Sequence, residues 1–460
     1  MSSLSQRRSA SAAADVIEPE RELPQYSSND TEKQERSLAQ GKFRVQTAGE
    51  SGRNGFHPWL FLKVCFRSTC TLSMVVNVLW PVVPAAIVMA FARPDLEVWV
   101  FALNYIAMVP SANLMGFAGG ELSRKLPKVA GILLETSLTS VVELILFMVL
   151  IKKDVDNDLI SVIQAAILGS ILANLLLCLG LCFFFGGLRR DEQVLHEAVS
   201  EVGSGLLLVA GFALLIPSAF YSALSGTAQG NATFTSDELT ENTRTISRGT
   251  AIILLFAFGM FLWYNLRTHH SIFDEVLEND ENQDEDGDKE RNRPKLTLVE
   301  SLIATVVALA LVTLSAVFLV EKIPAIRERG VPDNFIGLIL VPLVEKAAEH
   351  LTAIDEAWDN QINFALFHCL GPSIQTALLN APLVVIVSWG LGKNMDLNFE
   401  IFMIVLLVMS ILVVGSFLRD GKSNYMEGGL CVLVYLIIAL TTWYYPNPEE
   451  GTTNVQLPGE

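Results

Sequence analysis

Apolar residues in this chain come in runs of about 20, the length a helix needs to cross a bilayer core roughly 30 Å thick, and no other feature limits the fold as strongly. Spans are predicted at 72–92, 96–117, 129–151, 160–186, 198–221, 249–267, 297–320, 335–357, 361–390, 397–418 and 426–445. A soluble chain would instead scatter its apolar residues as helical stripes. The hydrophobic content of 51% and mean hydropathy of +0.42 agree with lipid as the solvent. The expected fold is an all-α polytopic membrane protein of about 11 transmembrane helices.

Charge divides the chain. Residues 1–70 are rich in Ser, Arg, Glu and Gln and too poor in aliphatics to bury a core, so a disordered cytosolic tail is expected. No apolar run lies near the start, so no cleaved signal peptide is expected and the leading helix, 71–95, would serve for targeting. The acidic stretch 274–294 sits in a loop, 268–296, read as a solvated cytosolic linker that adds little to packing. Five spans precede it (96–267) and five follow (297–446), before a C-terminal tail, 447–460. An odd number per half forces opposite orientations, so two inverted five-helix repeats are expected behind the single leading helix.

Arg124, Lys125 and Lys128, then Arg189 and Arg190, then Arg419 and Lys422 follow even-numbered spans, which puts those ends, the N-terminus and the acidic loop in the cytosol. Lys322, Arg327 and Arg329 run against that pattern. The sequon at Asn231 would then be lumenal. A formal charge of −17 excludes a nucleic-acid partner. The lipid bilayer is the partner the runs imply; a homo-oligomer is an open alternative to a monomer.

Two glutamates lie in mid-span. A carboxylate there costs about 2.5–3.5 kcal/mol on insertion scales, so it persists where it lines a wet path or meets a partner. Glu143 follows a Ser/Thr run that includes Ser140; Glu135, two turns earlier, reads as either structural or functional. In the second half Glu345, Lys346, Glu349 and His350 fall within two turns, and residues three and four apart share a helix face. Glu143 and Glu349 are the candidate proton-coupling groups, with His350 a third. Each half follows its glutamate with a Gly/Ser interruption, Gly169–Ser170 and Gly371–Pro372–Ser373, the kind of helix break tolerated where backbone lines a cavity. Ser140, Ser170, Asn174, Ser373 and Gln375 would add neutral oxygens to the two carboxylates, a donor set suited to a hard cation such as Ca²⁺. The six cysteines (Cys65, Cys70, Cys178, Cys182, Cys369, Cys431) show no CxxC and no metal-ligand spacing, so they read as small buried hydrophobes. No cofactor is implied. With no GxxxxGK[ST] motif and no large soluble domain, the chain reads as a transporter rather than an ATP-driven pump or another enzyme.

At these residues the chain resembles the calcium/proton exchanger family of fungal and plant vacuoles, within the cation/Ca²⁺ antiporter superfamily. The likeness rests on VIQAAILGSILANLLLCLGLCFFFGGLR, on ISRGTAIILLFAFGMFLWYNLRTHH, and on AAEHLTAI followed by GPSIQTAL. It implies Ca²⁺ or a related cation and protons as substrates, alternating access, and a vacuolar or other endomembrane. Where the family has Gly-Asn-Ala-Val-Glu-Leu this chain has Thr139-Ser140-Val141-Val142-Glu143-Leu144; where it has Gly-Asn-Ala-Ala-Glu-His this chain has Glu345-Lys346-Ala347-Ala348-Glu349-His350. Both glutamates remain and both Gly-Asn pairs are gone; a serine of each half is also replaced, by Ala173 and Pro372. Glu345 and Lys346 are therefore the candidate specificity-altering pair. Lys346 could be offset by Glu345, be deprotonated by burial, or occupy the cation's place. The alternatives to Ca²⁺/H⁺ antiport are an exchanger with monovalent cargo and a transport-inactive regulatory paralogue.

Overall fold

The computed structural model describes residues 55–68, 71–153, 159–228, 235–284 and 295–446. Asn231 lies outside them. Among the described residues, ten helices are long and apolar enough to cross a membrane. Helix α1 (Pro58–Arg67) precedes the leading span, which runs through α2 (Thr71–Val76), a turn at Asn77–Leu79 and α3 (Val82–Ala92). Spans two and three are α4 (Glu97–Ser123) and α5 (Lys128–Lys153). Span four is α6 (Ile160–Leu172), a π-helical turn at Ala173–Cys178, and α7 (Leu179–Arg189). Spans five and six are α8 (Glu197–Ala228) and α9 (Ser236–Trp263).

After the acidic-loop helix α10 (His270–Gln283), span seven is α11 (Leu298–Glu321), which starts on a capping box between Thr297 and Glu300. Short helices α12 (Ile323–Arg327) and α13 (Asp333–Phe335) lead through a π-helical turn, Ile336–Leu340, into α14 (Val341–Trp358). This eighth span falls short of membrane hydropathy because it carries Glu345, Lys346, Glu349 and His350. Span nine is α15 (Ile362–Gln375), a π-helical turn at Thr376–Asn380, and α16 (Ala381–Gly390). Spans ten and eleven are α17 (Ile401–Leu418) and α18 (Tyr425–Trp443).

Helices at corresponding positions of the two halves pack on each other: α4 against α11, and α8 against α17. The interrupted helices pack crosswise. A Cβ at Gly169 would fall 2.2 Å from the Leu338 carbonyl oxygen, and one at Gly337 would fall 2.6 Å from the Val162 carbonyl oxygen, so glycine lets span four touch span eight backbone to backbone. Gly371 of span nine meets Thr136 of span three more loosely. Each half therefore seats its broken helix on the other half's glutamate helix.

Alternate span ends gather on one side. The loop after span four pairs with the loop after span ten as a two-residue antiparallel ribbon, β1 (Gln193–Val194) with β2 (Lys422–Ser423). Arg189 reaches Asp359 at 3.5 Å and covers the Trp358 ring, and Glu121 accepts from the Leu296 backbone. Ends two, four, eight and ten thus share a face with the segment before span seven. On the opposite face Gln164 binds Asp396 and the Asn398 carbonyl. Two of the basic residues that break the loop charge pattern are held by protein: Arg327 lies 2.6 Å from Asp333 and Lys322 donates to the Pro94 carbonyl. Large apolar side chains such as Ile253, Phe256, Val306 and Leu440 point outward, as lipid-facing residues must.

Two expectations need correction. Residues 58–67 of the expected tail form α1, because PWLFLKVCF is apolar enough to pack; Val64 is buried and the His57 backbone donates to Glu300. The acidic loop is also not all solvated linker. In α10, Phe273, Val276, Leu277 and Asp280 are buried, and Phe273 meets Phe367 edge to face. Asp280 accepts from the backbone N–H groups of Asn363 and Phe364 and from the Asn363 amide. It therefore caps α15 from another part of the chain, satisfying donors that a helix start leaves unpaired.

Candidate functional site

The two mid-span glutamates meet in the core. Glu143, on α5, is fully buried, and its Oε2 accepts from Thr376 Oγ1 at 2.7 Å and Asn380 Nδ2 at 2.8 Å. Both donors come from the π-helical turn of span nine. One helical turn earlier, Ser140 donates to Gln375 Oε1 at 2.7 Å while Gln375 Nε2 donates to Thr136 at 2.8 Å. The second half mirrors this arrangement: His350, next to Glu349 on α14, pairs through Nε2 with Asn174 Oδ1 at 3.1 Å, and Asn174 belongs to the π-helical turn of span four. A π-helical turn widens a helix and re-aims its side chains, and such turns gather at functional sites. Here both project amides across the seam between halves.

Lys346 joins the two arrangements. Its ammonium lies 3.7 Å from Glu143 Oε2 and 3.5 Å from Glu349 Oε2, with all three side chains buried. Of the three roles the sequence left open for this lysine, the geometry matches the third: the ammonium stands between the carboxylates, where a cation held by both would stand. Glu345, also buried, is not its partner by distance, and Glu345 Oε1 makes no hydrogen bond.

Six buried polar atoms collect around this centre without a hydrogen bond: Glu143 Oε1, Ser170 Oγ, Asn174 Nδ2, Glu345 Oε1, Lys346 Nζ and Glu349 Oε2. Lys346 Nζ and Glu349 Oε2 still face each other as an ion pair at 3.5 Å; the other four are polar atoms whose burial without a hydrogen bond costs about 1–3 kcal/mol each. Of the residues named from sequence, Ser140, Glu143, Asn174, Lys346, Glu349, His350 and Gln375 line the crossed pairs. Ser373 does not: its hydroxyl donates back to the Cys369 carbonyl. The Thr139 side chain lies outside those described.

Sequence reading missed Thr376 and Asn380. They continue the polar face of Ser373 at three- and four-residue steps, which was the available signal. It also left Glu135 undecided. Glu135 accepts from Ser123 at 3.0 Å and lies 3.9 Å from His368 Nε2, while His368 Nδ1 is 2.8 Å from Glu356. This second cluster, with His368 buried and both carboxylates half-buried, lies on the side of the paired Arg-bearing loops. On the other side a cleft of about 370 Å³, lined by Ser161, Gln164, Tyr221, Asn334, Asn398 and Glu400, opens beside α6.

Comparison with known proteins gives a consistent set. The sodium/calcium exchanger protein family model matches residues 96–267 and 300–444, one block on each side of the acidic loop. The chain is 33% identical over 377 residues to vacuolar cation/proton exchanger 2 of Arabidopsis thaliana, covering 81% of this chain and 82% of that one. It is 32% identical over 349 residues to the vacuolar calcium ion transporter of Schizosaccharomyces pombe, covering 75% and 79%. Among solved structures, native YfkE superposes with a TM-score of 0.64 at 26% identity, over 81% of this chain and all of that one.

Proposed function

The chain belongs to the sodium/calcium exchanger protein family, and on that premise we propose that it is a secondary antiporter exchanging Ca²⁺ or a related cation for protons across a vacuolar or other endomembrane. The observation that carries the reading is the facing of Glu143 and Glu349 across Lys346, one carboxylate from each half. A carboxylate can hold a proton or a share of a cation charge, not both. Loading the cation from one side therefore expels protons, and protonation from the other expels the cation. With the N-terminus and the acidic loop assigned to the cytosol, Glu135, His368 and Glu356 form the half-buried acid–base step nearest the cytosol and the polar cleft beside α6 faces the lumen.

Lys346 adds an internal competitor. Two unit charges 4 Å apart interact by about 4 kcal/mol at an effective dielectric of 20, so a dication must either displace the ammonium or bind against it. With Glu143 and Glu349 ionised, Lys346 charged and Glu345 protonated, the centre carries one net negative charge. That balance favours a second reading, an exchanger of monovalent cations. Proteoliposomes with an acidic interior test both: cation-dependent proton release to Ca²⁺ supports the first, release to Na⁺ or K⁺ but not Ca²⁺ the second, and silence to the whole panel rejects antiport.

A further inference from the structure

Three of the cysteines that are scattered in sequence converge in the fold. The sulfurs of Cys178, Cys182 and Cys369 all lie within 4.8 Å of one another, and all three residues are fully buried. Cys178 Sγ is 3.4 Å from Cys369 Sγ. Cys178 ends the π-helical turn of span four and Cys182 lies one turn on in α7, so their sulfurs share a face. Cys369 comes from α15, one turn before Ser373. The cluster therefore takes two thiols from the first half and one from the second.

Metal–thiolate bonds of about 2.3 Å place the sulfurs of a three- or four-coordinate centre roughly 3.8–4 Å apart, within the aperture already present. A set of thiols without carboxylate or imidazole selects soft ions such as Zn²⁺, Cd²⁺ or Cu⁺ over hard Ca²⁺. We propose that Cys178, Cys182 and Cys369 form a soft-metal site that, when filled, ties span four to span nine and halts exchange. Each thiol that ligates gives its proton to water and its lone pair to the ion, and no electron is transferred. The tied helices carry Asn174 on one side and Gln375, Thr376 and Asn380 on the other, the groups that cross the seam at the glutamate centre. Binding is independent of the antiport reading; the block on exchange rests on it.

The full-length protein, held in a phosphine reductant with excess Ca²⁺ to occupy the carboxylates, is titrated with Cd²⁺. A sulfur-to-cadmium charge-transfer band saturating at one ion per chain is expected, with affinity at least tenfold weaker in Cys182→Ser and in Cys369→Ser. X-ray absorption of the wild-type Cd²⁺ form, which needs no variant, should show three sulfur neighbours. No band at equimolar Cd²⁺, or a band that survives both serine substitutions, overturns the site. In proteoliposomes, Cd²⁺ loading should cut Ca²⁺-driven proton release at least tenfold in wild type and spare Cys182→Ser; a full band with unaltered flux overturns the block. If metal-free wild type moves no protons, the antiport reading fails while the absorption result still decides the site.

Discussion

At the scale of single residues, Lys346 sets the terms. Glu143→Gln leaves Lys346 with Glu349 at 3.5 Å, so it should abolish cation-coupled proton release with little loss of thermal stability. Adding Lys346→Met strips the buried Glu349 of its ion-pair partner, so the double variant should lose stability, by about 3–5 kcal/mol, and regain none of the flux. A double variant that regained transport would show that Glu143 carries no substrate charge. The reciprocal experiment restores what the family resemblance leads one to expect. Glu345→Gly with Lys346→Asn removes the ammonium 3.7 Å from Glu143 and 3.5 Å from Glu349, and should raise Ca²⁺ affinity at least tenfold, about 1.4 kcal/mol. Calorimetry giving an equal or weaker affinity would assign Lys346 to helix packing alone.

At the scale of elements, α10 docks as a clasp within the acidic segment. Asp280 anchors α10 by capping α15, the helix that leads to Gln375 and the π-helical turn. Burial pushes the Asp280 carboxyl above its ordinary range, against the opposing effect of its bonds to Asn363 and Phe364. A carboxyl whose value is raised on folding favours the folded form fully below its unfolded value, and that contribution fades as pH rises through the folded value. Hydrogen exchange over 270–283, corrected for intrinsic rates, should therefore show α10 held more firmly at acidic than at neutral pH. Asp280→Asn should flatten that dependence. Asp280→Ala, which removes the cap, should loosen α10 by about 0.5–2 kcal/mol at every pH. A steep pH profile persisting in the Asn variant would point to another titrating group.

Across the whole molecule, the halves are sewn together at their ends as well as at the centre. Val194 lies directly opposite Lys422 in the short ribbon that joins the loop after span four to the loop after span ten. Facing strand residues sit about 4.5–5.5 Å apart at Cα, a separation a disulfide can close. Cysteines placed at both positions should cross-link on adding an impermeant oxidant to the cytosolic face of sealed vesicles, and not from the lumenal face. Cross-linking from the lumenal face alone would invert the assigned orientation.

The sequence by itself determined the solvent and the helical class, because apolar length and the hydration cost of charge are properties of a linear stretch. It also exposed Glu143, Glu349 and their broken neighbouring helices, since a carboxylate in an apolar run stands out without any partner being known. Tertiary structure alone decided what those groups meet. Thr376 and Asn380 bond to a glutamate more than 230 positions away, the Lys346 ammonium chose two carboxylates over the adjacent Glu345, and Cys178 met Cys369 across 191 positions. Helical periodicity tells which residues share a face, but which face of which helix lies opposite depends on where glycines such as Gly169 and Gly337 let backbones approach. The same limit hid the docking of α10: a run of acidic residues looks solvated until one of them is found on the unpaired amides of a helix start.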